Sequence, residues 1–157
     1  MKPRRKSSKR MRVLHLWTLP ELQKAVPYLR SVIVSLREHW LDTLTTERHL
    51  NLAAQRPQST QRNLLVAADD LREERRRAQQ KFEDALEELN RIDVFLLDAV
   101  KGLALVPFRK EDDLAWFVFD QFSPRGIIGW RNHDDPIEKC LPLNLLEQPV
   151  APGPVLD

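Results

Sequence analysis

The 157-residue chain holds 42% hydrophobic and 31% charged residues with a net charge of +2, a balance that fits one domain built on long solvated helices. Cys140 is the only cysteine, which excludes an internal disulfide and suits a reducing cytoplasm, the expected location. No apolar run approaches the ~18 residues of a membrane span, so no membrane association is expected.

The charge is unevenly placed. Lys2, Arg4, Arg5, Lys6, Lys9, Arg10 and Arg12 lie in the first twelve residues, which contain none of the 23 acidic residues. The body is therefore acidic and residues 1–13 form a basic tail. "MKPRRKSSKRMR" has no apolar stretch behind its charges, so it does not read as a secretory signal. Arg4, Arg5, Lys6, Lys9 and Arg10 are candidate nucleic-acid contacts by charge attraction alone. A solubilising disordered tail is the preferred reading of the same composition. A start at Met11 would remove nearly all of it.

A single domain is expected over residues 14–143. "WTLPEL" reads as a helix start, with Thr18 as N-cap, Pro20 in the first turn and Glu21 completing a capping box. Leu22, Val26, Leu29, Ile33, Leu36 and Trp40 then recur at steps of four and three, the spacing of one helical seam. Pro27 lies inside this pattern and predicts a bend or a later start. The helix is predicted to run to about Ala54. "QRPQSTQRN", residues 55–63, is polar and aperiodic and reads as a loop.

A second seam follows through Leu64, Ala68, Leu71, Arg75, Ala78, Phe82, Ala85, Leu89, Ile92, Leu96 and Ala99. It predicts a helix to about residue 101, capped by Gly102. Arg75 is the polar intruder in this seam. It reads either as a register-setting or partner-contacting residue, or as a side chain that snorkels to water, the preferred reading. Two such helices joined by a short loop form an antiparallel hairpin. Its loop end, with "LREERRRAQQK" and small alanines, packs thinly. Its open end carries Trp40, Phe82, Leu89, Ile92, Phe95 and Leu96 and needs a third layer.

Three short strands supply it: "LALVPF" (103–108), "LAWFVF" (114–119) and "IIGWRN" (127–132), separated by polar turns. The middle strand is apolar on both faces, which suits burial on both sides. Residues 144–157, with Pro149, Pro152 and Pro154, read as a loose Pro-rich tail. The fold expected is mainly α, of α+β type: a long helical hairpin with a small C-terminal antiparallel β-meander.

"LWTLPELQKAVPYLRSVI", "LNRIDVFLLDAVKGLALVPF", "LAWFVFDQFSPRGIIGWRN" and the closing "LPL" together resemble a family of small bacterial proteins, domain of unknown function 2203, over roughly residues 14–143. The family has no established activity, so the resemblance implies an architecture rather than a chemistry. Lys101, Gly102, Leu103 and Pro107 match its pattern. Several polar positions of that pattern correspond here to other residues. Its acidic residue corresponds to Leu105, its Cys-Trp pair to Phe119 and Asp120, its His to Arg131 and a late Arg to Cys140. Its turn glutamate is absent from "FSPRG".

The richest polar cluster is "RNHDDPIEKC", with Arg131, His133, Asp134, Asp135 and Cys140. It reads as a general base, a metal site or a Cys-His pair, or simply as a turn, which is the preferred reading. His39 and His49 lie near Glu38, Asp42 and Glu47. The chain has no Glu-x-x-His, however, so a di-metal bundle site is rejected. No phosphate-cradling glycine loop and no nucleophile elbow occurs. No cofactor is expected, and the chain is not expected to be an enzyme. The function expected is association, as a homo-oligomer or a coiled-coil-type adaptor. The interface candidates are Leu22, Val26, Leu29, Ile33, Trp40, Phe82, Leu89, Ile92, Trp116, Phe119 and Trp130. Nucleic-acid binding through the tail is the alternative, and an enzyme or metal site around His133 is the third.

Overall fold

A computed structural model describes residues 13–55 and 61–147. Helix α1 (Leu19–Ala54) and helix α2 (Gln61–Arg91) form an antiparallel hairpin. Four strands follow: β1 (Phe95–Asp98), β2 (Leu103–Lys110), β3 (Asp113–Asp120) and β4 (Ile127–Asn132). They make one antiparallel sheet in sequence order, β1-β2-β3-β4. A single helical turn, α3 (Asn144–Glu147), comes last. The fold is α+β, as the sequence pattern implies.

The capping box forms as read. The Thr18 hydroxyl accepts from the Glu21 backbone N–H at 3.3 Å, and the Glu21 carboxylate accepts from the Thr18 N–H at 3.2 Å. Helix α1 has 36 residues, about 54 Å at 1.5 Å per residue. It is one continuous helix with Pro27 inside it, so the later start does not occur.

The end of α2 departs from expectation. The helix stops at Arg91, not near residue 101, and Phe95–Asp98 is a strand. The cause is a Schellman motif. The Val94 N–H donates to the Leu89 carbonyl at 3.2 Å, and the Asp93 N–H to the Asn90 carbonyl at 3.0 Å. Asp93 takes the left-handed conformation, φ 58°, that glycine more often supplies. Leu89 and Val94, both fully buried, make up the apolar pair that accompanies this motif. Gly102 therefore caps no helix. It sits at φ 66° in the β1–β2 turn, and the meander has four strands where three are expected. Likewise, Asn144–Glu147 are helical where an extended tail is expected. Residues 148–157, residues 1–12 and most of the loop read at 55–63 lie outside the described residues.

The sheet presents one face to the helices. Ala104, Val106 and Phe108 on β2 and Ala115, Phe117 and Phe119 on β3 are buried there. Phe108 and Phe117 stack at 3.9 Å between centroids, and Trp130 of β4 meets Phe108 edge-on at 6.3 Å. Leu22, Leu29, Val32, Ile33 and Leu36 of α1 close this core with Leu89 of α2. Among the described residues, the core includes nothing on α1 beyond Leu36 and nothing on α2 before Phe82.

The segment before α1 is sewn on as well. The Trp17 N–H donates to the Pro107 carbonyl at 2.8 Å, alongside β2 past the end of β1. Its indole donates to the Ile92 carbonyl at 3.1 Å.

Candidate functional site

The polar cluster after β4 forms a loop that crosses the outer sheet face. It leaves at Asn132 and returns to the β4 edge at Leu141, which exchanges hydrogen bonds with Trp130 at 2.9 and 2.7 Å. Two of its candidates build the loop itself. The Arg131 guanidinium, 6% exposed, donates to the Asp135 carbonyl. The Asp135 carboxylate accepts from the Asn132 N–H at 2.9 Å. That backbone bond, with Lys139 at 3.6 Å, holds the carboxyl below the usual range.

His133 is exposed, and its Nδ1 accepts from the Trp116 indole at 3.1 Å. Trp116 in turn meets Phe95 edge-on at 5.8 Å. Cys140 lies elsewhere, where its Sγ rests against Gly129. Burial pushes its thiol up, away from the thiolate a nucleophile needs. Cys140 borders a groove of about 480 Å³ floored by Leu103 and Val118 and flanked by Leu97, Ile128 and Ile137. His133, Asp134 and Asp135 do not line it. The structure thus does not bring the candidate base, carboxylates and thiol into one pocket. Among the described residues no group of three His, Cys, Asp or Glu is arranged to hold a metal ion. His39 lies on α1 with its main-chain carbonyl taken by Thr43, and His49 lies on the flank of the hairpin.

The apolar interface candidates divide in two. Leu22, Leu29, Ile33, Leu89, Phe119 and Trp130 are at most 3% exposed within the single chain, so they belong to its own core. Surface that is already buried inside one chain is not offered to another. Val26, Phe82 and Ile92 are half-buried around that core, whereas Trp40 and Trp116 are half-buried away from it, Trp40 against Phe82 and Trp116 against Phe95 and His133. Arg4, Arg5, Lys6, Lys9 and Arg10 lie outside the described residues.

The Trp40–Phe82 ring pair, 5.3 Å apart, marks where the core ends and a bare two-helix arm begins. Beyond it, among the residues whose side chains are described, the buried positions are Thr43, Thr46 and Ala78. Both hydroxyls turn back onto their own helix and donate to the carbonyls of His39 at 2.9 Å and Asp42 at 2.7 Å, so neither proton is available to α2. Leu44, Leu52, Leu65 and Val66 are 40–62% exposed on this arm.

The two flanks of the arm are chemically unlike. One is a groove of about 420 Å³ lined by Leu50, Ala53, Ala54, Leu65 and Ala68, with Arg72 and Arg75 at its inner end. The other, about 340 Å³, is lined mainly by charged and hydroxyl groups, among them Asp42, Thr46, His49, Glu74, Arg77 and Lys81. Arg75 is half-buried at the inner end of the apolar groove. Glu73 bridges Arg76 at 2.7 Å and Arg77 at 3.2 Å along the exposed side. The thin loop end is visible in the sequence as small and charged residues. The difference between its flanks is not, because it depends on how the helices are rotated about their axes.

No helix among the described residues is long and apolar enough to cross a membrane. No curated protein and no solved structure matches the chain. One family model does match, over residues 15–120, from the segment that leads into α1 to the end of β3. The correspondences drawn for Arg131 and Cys140 lie beyond that span. On that match the chain belongs to the family described as uncharacterized conserved protein (DUF2203).

Proposed function

We propose that this protein acts by association rather than by catalysis, and that the two-helix arm is the part that associates. The observation that carries the reading is the absence of a third layer, among the described residues, over the arm beyond Trp40 and Phe82. The rest of the hairpin is covered by the sheet. The arm is paired through small and hydroxyl residues and leaves Leu44, Leu52, Leu65 and Val66 in solvent. Helices bury an apolar stripe against another element in stable folds, and two helices alone bury little. Of the apolar surface left open on the arm, the groove beside Leu65, floored by Leu50, Ala53, Ala54 and Ala68, is the part that supports contact with another molecule.

The test is the mass in solution. Light scattering after gel filtration at micromolar concentration is expected to show a dimer or larger species. A monomer at every concentration removes the support for self-association. A pull-down from a native lysate with the arm variants described below as controls then addresses a separate adaptor role.

A second reading rests on the charge split, with a basic tail on an acidic body. A salt-dependent gel shift that is lost on starting the chain at Met11 supports nucleic-acid binding by the tail. Equal binding by both forms, or none, ends it.

A further inference from the structure

We infer that the partner of the arm is a second copy of this chain, docked antiparallel, apolar flank to apolar flank, so that four helices form a bundle with the two sheets at opposite ends. The inference rests on the association reading above and specifies its partner, face and direction.

Three observations lead to it. The first is the difference between the flanks. The apolar groove has Leu50, Ala53, Ala54, Leu65 and Ala68, whereas the opposite flank is lined by Asp42, His49, Glu74, Arg77 and Lys81. A head-to-tail contact would seat the charged flank of one copy on the apolar flank of the next and leave those charges desolvated and unmatched. Contact of like with like avoids this and closes as a two-fold dimer.

The second is the size of the floor. Ala53, Ala54 and Ala68 put little more than main chain on that flank, so a partner helix can approach closely. The third is the order of charges along α2. Asp69, bridged to Arg72, comes first, toward the arm's tip, and Arg72 and Arg75 come next, toward the sheet. In a parallel dimer each of these meets its own copy, acid on acid and arginine on arginine. In an antiparallel dimer centred near Asp69, Arg72 of each chain lies over Leu65 of the other, one turn from the partner's Asp69. Arg72 already bridges its own Asp69 at 3.1 Å, with both groups exposed, so the same carboxylate can be shared across the two-fold axis. Arg75, the one polar residue in the seam, is half-buried at the groove's inner end, and its aliphatic stem closes the apolar floor there.

The experiment combines mass and cross-linking in the full chain. Leu65→Glu and Ala68→Glu are expected to weaken self-association at least tenfold with helical circular dichroism unchanged. Leu52→Glu lies on the other side of α1 and is expected to leave it unchanged. If the wild-type chain is a dimer and neither groove variant weakens it, the chain associates but not here, and this inference fails while the association reading stands. A wild-type monomer removes both. Direction is read in a Cys140→Ser background. Asp69→Cys is expected to form a disulfide with its own copy, and Arg75→Cys, on the same apolar flank, is not. Disulfides at both positions mean parallel arms and overturn the antiparallel assignment.

Discussion

The guanidinium of Arg30, on α1, donates to the main-chain carbonyl of Ser123 in the β3–β4 turn at 2.9 Å. The same group also donates to the carbonyls of Gln121 and Pro124, and it lies 6.0 Å from the ring centroid of Phe119. A turn of six residues thus has three of its carbonyl oxygens facing one cation and no acid. Arg37, two turns along α1, does the same for the neighbouring turn. Its Nε donates to the Val100 carbonyl at 2.8 Å, and its guanidinium lies 5.1 Å from the Phe122 ring centroid. The helix therefore holds the sheet by its turns as well as by its apolar face.

Arg30→Ala is expected to destabilise the fold by about 2–3 kcal/mol, the range for hydrogen bonds to a charged group whose partners stay half-buried. Arg30→Lys should recover only part of this, because one ammonium cannot span three carbonyls as a planar fork can. Urea unfolding of the three forms gives the order. Equal midpoints for wild type and Arg30→Ala would mean that the clamp contributes nothing.

Asp93 does two things at the end of α2. It adopts φ 58°, and its carboxylate accepts the His15 N–H at 2.8 Å. Asp93→Asn keeps both the tolerance for left-handed backbone and an acceptor, so it is expected to be close to neutral. Asp93→Ala loses both and should cost about 1–2 kcal/mol. Asp93→Gly should fall between them. If alanine and asparagine behave alike in thermal unfolding, the side chain is not what ends the helix.

That position also shows where the sequence stops being legible. The start of α1 can be read because a capping box uses residue types that do little else at that spacing. The strands read at 103–108 and 114–119 can be recognised because short apolar runs, the second apolar on both faces, stand between polar turns. The end of α2 cannot. Ile92, Leu96 and Ala99 continue the heptad steps past the true end, and a spacing of four keeps two residues on one face in a strand as it does in a helix. The break is made by an aspartate in a glycine conformation, and its partner, His15, lies far away in the chain. For the same reason the polar loop after β4 looks like a cluster in sequence. Proximity along the chain puts His133 and Cys140 together, but the loop carries one to Trp116 and the other to Gly129.

On the exposed side of the arm, Glu73 is the carboxylate most altered by its surroundings. The Arg76 hydrogen bond, with the charges of Arg76 and Arg77, lowers its pKa from 4.5 to about 2. The folded value lies below the unfolded one. The contribution of the pair is thus complete above pH 4.5 and disappears as pH falls through the folded value of about 2. Because the group is exposed, that contribution is small and sensitive to salt. NMR titration of the Glu73 carboxyl should find it still ionised at about pH 3.5, where an unpaired glutamate is mostly protonated. Arg76→Ala should move its midpoint up toward the ordinary value. An ordinary midpoint in the wild-type chain would show that the pair does not form.

At Gly129 the loop after β4 lies directly against the strand. A Cβ there would stand 2.4 Å from the Leu141 carbonyl oxygen and 2.5 Å from Cys140 Sγ. The first of these cannot give way, because Leu141 is tied to Trp130 by two backbone hydrogen bonds. Gly129→Ala is therefore expected to cost about 2–3 kcal/mol, at the upper end of overpacking, by lifting the loop off β4. Cys140→Ala in the same chain removes only the side-chain clash and should recover less than half. Cys140 is exposed, but contact of its Sγ with the strand desolvates the thiol in part and raises its pKa, so lifting the loop should speed its reaction with a thiol reagent at neutral pH. Destabilisation without faster labelling would place the strain in the strand rather than the loop. Full rescue by Cys140→Ala would show that the sulfur, not the Leu141 carbonyl, is what forbids a side chain at position 129.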